Sequence, residues 1–365
     1  QTYTMPDETI LPAISQGFID LKKIKIKYES EDNVITHRLI EPQFMLLNWP
    51  IWYLVAWDNL REDVRVFRID RVKHAVLQRD DFRLKSRKLL IANKESIICG
   101  WNIINKLIKK YKVKTFPVDS EHFSIMNLIE QSNKNDIEKI YLTASGGPFL
   151  KYSLNKMKNI KPSEAINHPK WKMGKKISVD SATLMNKIFE VIEANKLFSI
   201  DINKIDILIH PQSLVHAIIK FKNGLFKLLY FETDMAIPIG NALFENNFEI
   251  KKNISTKYRF KENYLIKNLN FSKVDRKKFP AIKLKPILDK YNSLPIILNA
   301  ANEIFVDQFL KRNMSFCSII NYLFYLLKDP KMRKYAIKKP SNLKTILSID
   351  EWTRNKAIKI INDNK

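Results

Sequence analysis

Two carboxylates, Asp119 and Glu121 in "VDSEH", stand two residues apart just after an extended run that ends in proline. If the extended geometry continues, both side chains leave the same side of the backbone. Carboxylates held side by side repel unless a cation or a shared proton joins them. Hard oxygen donors with no cysteine nearby suit magnesium or manganese. An acidic pair at a strand end is, on its own, more often a solvated loop, so its meaning depends on what the rest of the chain brings to it.

A third carboxylate comes from "DSATLMNKIFEVIEANKLF", which has the spacing of one long helix. Asp180 or Ser181 would cap it, and capped helix starts bind anions through free N–H groups and the helix dipole. Leu184, Ile188, Val191 and Ile192 form an apolar stripe, while Thr183, Asn186, Lys187 and Glu190, continued by Glu193, fall on the other side. Such a face is commonly plain solvent-exposed surface. Folded against the "VDSEH" segment, however, Glu190 would complete a three-carboxylate metal site, with Ser181, Asn186 and Lys187 placed to hold a phosphate.

Two further stretches fit around such a site. In "LTASGGPF", Ser145 precedes the adjacent glycines Gly146 and Gly147, in a chain with only seven glycines. At the carboxyl edge of an α/β sheet, glycines let backbone N–H groups approach an anion closely; an ordinary tight turn is the plainer alternative. In "INHPKWKMGKK", His168, Trp171 and Met173 sit among lysines with Gly174 as a hinge. Tryptophan and methionine on a polar segment suggest a lid over a substrate, or else a loop packed permanently on the domain.

These pieces need elements to carry them. After about residue 88 the pattern alternates between strand-like runs ("KLLIAN", "KVKTFPVDS", "KIYLTASGG", "IDILIHP", "GLFKLLYFE") and helical ones, which predicts an α/β domain with a partly parallel sheet. From about residue 276 apolar residues recur at three- and four-residue spacing, predicting a C-terminal α-helical bundle. Before the break, "KIKIKYES", "HRLIEPQFMLL", "IWYLVAWD", "VRVFRIDRV" and "HAVLQRDDF" read as short strands after a helix near 8–21. They predict a small, β-rich, strongly bent sheet or barrel. The implied segments are 1–87 (β-rich), 88–118, 119–245 (metal- and substrate-binding α/β), a lysine- and asparagine-rich connector at 246–275, and 276–365 (helical bundle).

Charge follows the same boundary. Residues 1–85 hold 13 basic and 13 acidic residues; the remaining 50 basic and 25 acidic residues carry the whole net charge of +25. Lysines spread through every element read as solvated faces, with a polyanion-binding surface as the competing reading. Two cysteines form no framework and no CxxC pair, which excludes a cysteine-built zinc site and fits a cytoplasmic setting. No run approaches 18 uncharged apolar residues, so no membrane partner is expected, and "QTYTMPDETI" does not have the pattern of a signal peptide.

Taken in order, "LLIANKES", "VDSEH", "LTASGGPF", "HPKWKMGKKISVDSATLMNK", "LIHPQSLVH" and "LNAANEI" resemble the 1-deoxy-D-xylulose 5-phosphate reductoisomerase family, from about residue 88 to the C-terminus. That family isomerises its sugar phosphate by retro-aldol cleavage and recombination. It then reduces the product with NADPH to 2-C-methyl-D-erythritol 4-phosphate for isoprenoid synthesis, usually as a homodimer. The resemblance implies that Asp119, Glu121 and Glu190 hold magnesium or manganese. It implies substrate contacts from Lys94, Ser120, Glu121, Ser145, His168, Ser181, Asn186, Lys187 and Glu190, with Lys94, Glu121 and His168 in catalytic roles. Trp171 and Met173 would belong to the lid, His216 would lie near the site, and Asn93, Glu95 and Gly174 would touch the cofactor. The family's glycine-rich dinucleotide turn is missing from this sequence: no three of its seven glycines fall within six residues.

Residues 8–86 resemble instead the WYL domain, a ligand-sensing module of bacterial transcription regulators. "WYLVAWD" (Trp52, Tyr53, Leu54), "RVFRIDRV" (Arg65, Arg68, Asp70, Arg71) and Pro42 carry this resemblance. It implies a nucleotide or nucleic-acid ligand, for which Arg65 and Arg68 are suited; pairing of these arginines with Asp58, Asp63 and Asp70 is the alternative. The sequence thus leaves a second function open, a WYL-type regulator module fused to an inactive sugar-phosphate and metal-binding domain.

Overall fold

In a computed structural model of the chain, residues 7–30, 32–48, 51–82, 88–130, 132–169, 171, 173–244 and 268–364 are described. The chain divides into two compact units, residues 1–90 with 112–115, and residues 91–111 with 116–365.

The first unit starts with helix α1 (Ile10–Asp20), followed by strands β1 (Lys22–Glu29), β2 (Ile35–Asn48), β3 (Ile51–Asp58), β4 (Asp63–Arg68) and β5 (Val72–Asp81). They form one antiparallel sheet in the order β4-β3-β2-β1-β5. Period-two alternation puts Ile24 and Ile26 of β1 on the buried face. There they join Ile40, Leu54, Phe67 and the α1 residues Ile10 and Ile14 in one apolar cluster. Gly17 lets α1 approach closely, because a Cβ there would lie 2.6 Å from the Ile24 side chain.

Strand β6 (Lys88–Ile91) and strand β7 (Lys114–Pro117) form a two-stranded sheet, and helix α2 (Lys94–Tyr111) runs between them in sequence. Helix α3 (Ser120–Ile129) and strand β8 (Ile137–Ala144) come next, then the short helices α4 (Leu154–Met157) and α5 (Pro162–Ala165). Helices α6 (Lys175–Thr183) and α7 (Met185–Phe198) lead into strands β9 (Ile205–Ile209), β10 (Val215–Phe221) and β11 (Phe226–Tyr230), and helix α8 (Ala236–Phe244). With β12 (Ser272–Lys273), these strands make a sheet ordered β11-β10-β8-β9-β12. Only the β8–β9 pairing is parallel. The connector expected at 246–275 lies outside the described residues up to 267.

A 3-10 stretch, Pro280–Ile287, precedes helices α9 (Leu294–Leu310), α10 (Phe316–Leu327), α11 (Met332–Ala336) and α12 (Leu343–Asp363). These C-terminal helices share one apolar core with the sheet and with α7. α7 is buried nearly all round, as suits a central helix. Its three buried charged residues, Lys187, Glu190 and Glu193, are therefore exceptional. The sequence reading placed them on a polar face, commonly a solvent-exposed one; burial of Lys187, Glu190 and Glu193 removes that alternative. Among the described residues, no helix is long and apolar enough to cross a membrane.

Candidate active site

Two backbone details set the site apart from the sequence expectation. "VDSEH" does not continue as a strand: α3 starts at Ser120, and Asp119 is its N-cap, accepting from the Glu121 N–H at 3.2 Å. The two carboxylates still converge, because an N-cap side chain folds back over the first turn of its own helix. Nor is "DSATLMNKIFE" one helix. Leu184 sits at φ 61°, in the left-handed region, and separates α6 from α7. Ser181 therefore belongs to the last turn of α6 rather than to a helix start, and the N-terminus near the site is that of α7, where Asn186 and Lys187 stand.

Gly146 and Gly147 both have positive φ, 84° and 63°. What lies against Gly147 is a helix backbone: a Cβ there would meet Ala182 Cα at 3.0 Å and Ser181 O at 3.2 Å. The sequence reading offered an anion or an ordinary tight turn at this place; close packing of α6 on the β8 turn accounts for the glycine. The serine alongside does face the site. Ser145 Oγ accepts from the Gly147 N–H at 3.1 Å and lies 3.0 Å from His168 Nε2. His168 Nδ1 accepts from the Trp171 N–H at 3.0 Å, so in the neutral ring the proton is on Nε2 and is donated to Ser145. Burial, and then the Lys187 ammonium, push His168 down to about 4 and keep it neutral. Ser145, already accepting twice, is left to donate its own proton.

One cavity of about 270 Å³ is lined by Lys94, Asp119, Ser120, Glu121, Ser145, His168, Trp171, Met173, Ser181, Asn186, Lys187, Glu190 and His216. Asp119, Glu121 and Glu190 each offer it an oxygen, and the three lie within 4.8 Å of one another. Lys94 Nζ reaches Asp119 Oδ2 at 3.1 Å, Asn186 Oδ1 at 2.9 Å and Glu190 Oε1 at 3.4 Å. Lys187 Nζ bridges Glu121 at 2.6 Å and Glu190 at 2.5 Å. Burial works against the charge on both lysines, but the surrounding carboxylates outweigh it and raise both. For Asp119, burial is overcome by Lys94 and His122, which hold it well below the usual carboxylate range. Burial, reinforced by Glu121, pushes Glu190 up to about 7. Trp171 meets His216 edge-on at 6.2 Å, and His216 stacks on Phe231 at 4.2 Å.

Asn93, Glu95 and Gly174 do not line this cavity. Asn93 Oδ1 accepts from the Ser96 N–H at 2.7 Å, Glu95 pairs with Lys176 at 3.2 Å, and Gly174 is the N-cap of α6. Ser213 and His122 had no role in the sequence reading, whereas His216 was expected near the site and does line it. Among the described residues, Ser213, at φ 56°, lines the cavity with an Oγ that has no hydrogen-bond partner, as does His216 with its Nε2. Unpartnered polar atoms on a cavity wall are what an absent ligand would satisfy. His122 lies beneath the acids, 2.9 Å from Asp119 and 3.3 Å from Glu193. Burial would lower it, but the carboxylates of Glu193 and Asp119 outweigh burial and raise it to about 9. Its presence within "VDSEH" was the available signal. Asp180 accepts from Lys176 at 3.1 Å and from Asn302 at 2.7 Å, tying α6 to α9; "LNAANEI" marked Asn302 without giving its partner.

In the first unit, Arg65 is exposed and Arg68 is buried, because residues three apart on a strand face opposite sides. Arg68 pairs with Asp70 through two contacts of 3.0 and 2.6 Å, one of the pairings the alternative named, though buried rather than on the surface.

A cavity walled by acids and lysines at strand ends of a mixed sheet, backed by a helical bundle, defines a class: an α/β enzyme. Residues 115–198 match the 1-deoxy-D-xylulose 5-phosphate reductoisomerase C-terminal domain, and residues 232–356 match the DXP reductoisomerase C-terminal domain. The reductoisomerase of Pelagibacter ubique is 47% identical over 270 residues, which cover 73% of this chain and 68% of the relative. That of Wolbachia pipientis wMel is 42% identical, covering 76% and 69%. A solved DOX-P reductoisomerase in complex with NADPH, fosmidomycin and magnesium superposes with a TM-score of 0.69 at 33% identity, covering 75% of this chain and 70% of that one. The Zymomonas mobilis enzyme in complex with NADPH gives 0.66 at 32%, covering 75% and 69%. The chain belongs to the 1-deoxy-D-xylulose 5-phosphate reductoisomerase family. Residues 9–77 match the WYL domain.

Proposed function

We propose that this chain acts as its family does, converting 1-deoxy-D-xylulose 5-phosphate to 2-C-methyl-D-erythritol 4-phosphate with a divalent metal and NADPH. The observation that carries the proposal is the convergence of Asp119, Glu121 and Glu190, from α3 and α7, on a cavity whose other groups suit a phosphate. The all-oxygen donor set fits magnesium or manganese. A cation held there supplies Lewis-acid polarisation of a carbonyl oxygen. Lys187, held protonated, and the Ser145 hydroxyl, with its proton to donate, would bind the phosphate together with Ser181 and Asn186. His168 would orient Ser145 as a neutral ring. Lys94 would meet the substrate backbone, and Trp171 and Met173 would exclude water from the reacting centre. Anchoring the phosphate keeps both fragments of a retro-aldol step in place for recombination.

Two of the solved relatives are in complex with NADPH. This chain has no glycine-rich pyrophosphate turn, and Asn93 and Glu95 are engaged with Ser96 and Lys176. NADPH bound here would have its pyrophosphate held by groups other than a glycine-rich turn. The test is to mix the chain with 1-deoxy-D-xylulose 5-phosphate, Mn²⁺ and NADPH and follow the absorbance of the reduced nicotinamide. Oxidation that requires both substrate and metal is expected. No oxidation together with no substrate binding would sink the proposal, whereas binding without oxidation would narrow it to the substrate and metal half.

Two finer points belong to the same proposal. The N-terminal sheet is read as a bent WYL-type module for an anionic ligand such as a nucleotide. A cavity of about 530 Å³ lined by Lys25, Lys27, His37, Arg38 and His74 supports this, rather than Arg68. A homodimer is supported by edge strand β11, which exposes Phe226 and Leu228, and light scattering in solution would test it.

A further inference from the structure

Glu193 does not line the cavity, yet it is 1% exposed, and among the described residues its Oε2 has no hydrogen-bond partner. A buried carboxylate oxygen without a hydrogen bond is costly, so its surroundings should explain it. That oxygen lies 3.3 Å from His122 Nδ1. The same ring nitrogen lies 2.9 Å from Asp119 Oδ1, and His122 Nε2 lies 3.0 Å from the Glu190 carbonyl oxygen. A carbonyl can only accept, so Nε2 carries a proton and the ring cannot flip without losing that bond. Phe198 stacks on the ring at 6.4 Å and walls it on one face. His122 is thereby pinned between the start of α3 and the middle of α7.

Asp119 Oδ1 is held from two sides, by the Glu121 N–H at 3.2 Å and by His122. Its Oδ2 is left for the cavity, where it meets Lys94. We infer that Glu193 is a positioning residue: acting through His122, it fixes the Asp119 carboxylate with one oxygen turned away and the other offered to the metal. Glu193 and Glu190 lie three apart on α7, so one helix face supplies both an expected ligand and the support for another. The inference rests on the metal reading proposed above.

The test is Mn²⁺ binding by the full chain, measured from the electron paramagnetic resonance signal of free Mn²⁺, with no turnover required. Outer-shell partners of metal ligands typically contribute 10–100-fold in affinity, so Glu193→Gln should bind Mn²⁺ about 10-fold more weakly than wild type. Because Glu193 acts through His122, adding Glu193→Gln to His122→Gln should cost nothing further. If His122→Gln does not fold, Asp119→Asn takes its place in the cycle with the same expectation. Wild-type affinity in Glu193→Gln, or losses that multiply in the double variant, would overturn the inference and leave the metal reading standing. A wild-type chain that binds no Mn²⁺ would overturn both.

Discussion

Gly147 offers a quantitative test of how the β8 turn and α6 are joined. An alanine there incurs two costs. The left-handed backbone at φ 63° disfavours any Cβ, by about 1 kcal/mol. The new atom would also lie 3.0 Å from Ala182 Cα and 3.2 Å from Ser181 O, and backbone cannot step aside as a side-chain tip can. Forcing such an overlap typically costs about 1–3 kcal/mol. Together they predict about 3 kcal/mol, which corresponds to a Tm lower by roughly 6–12 °C. The same molecule provides the controls. Gly224, at φ 86° with nothing within 4 Å, isolates the backbone cost. Gly146→Ala would meet the Leu150 side chain at 2.7 Å, a flexible neighbour, and should fall between the two. Gly174 has ordinary φ and open space but caps α6, where glycine is preferred to alanine, so the entropy gain and the cap loss of Gly174→Ala should nearly cancel and leave it about neutral. Thermal unfolding of the four variants by calorimetry gives the ranking. If Gly147→Ala proves no more damaging than Gly224→Ala, the close approach of α6 is wrong, and with it the placement of Ser181 beside the β8 turn.

Two other outcomes follow from the site. His168 is held down at about 4, against an unfolded value of about 6.5. The folded ring therefore refuses a proton that the unfolded chain accepts. Its contribution to stability is complete above about pH 6.5 and falls as the pH drops towards 4, and the ring's NMR resonances should titrate near 4 rather than 6.5. Asp180→Ala would leave Asn302 and Lys176 without their buried acceptor. The expected loss is about 3 kcal/mol, the low end for breaking a buried pair, because Lys176 keeps some hydration; urea denaturation measures it.

Much of the chemistry was legible in the residue types. Three acids without cysteine and a tryptophan among lysines pointed to groups that line one cavity, the glycines of the Ser-Gly-Gly turn turned out to serve packing, and the order of the motifs along the chain named the family. The α/β alternation, the late helical spacing and the separate β-rich start were legible too, since periods of 2 and 3.6 are local properties. What the sequence could not show was where a side chain goes when the backbone departs from its period. The break at Leu184 is a single left-handed residue with no glycine to announce it, and it turned an expected helix start into a helix end at Ser181. Arg65 and Arg68, grouped by their closeness in sequence, lie on opposite faces because strand alternation separates residues three apart. The partners of His122, 68 and 71 positions away at Glu190 and Glu193, exist only because α7 is buried against α3. Composition and spacing determine which groups are available and which elements carry them. Packing of distant segments decides which charges lose water, and it is loss of water that turns an acid or a histidine into a working part.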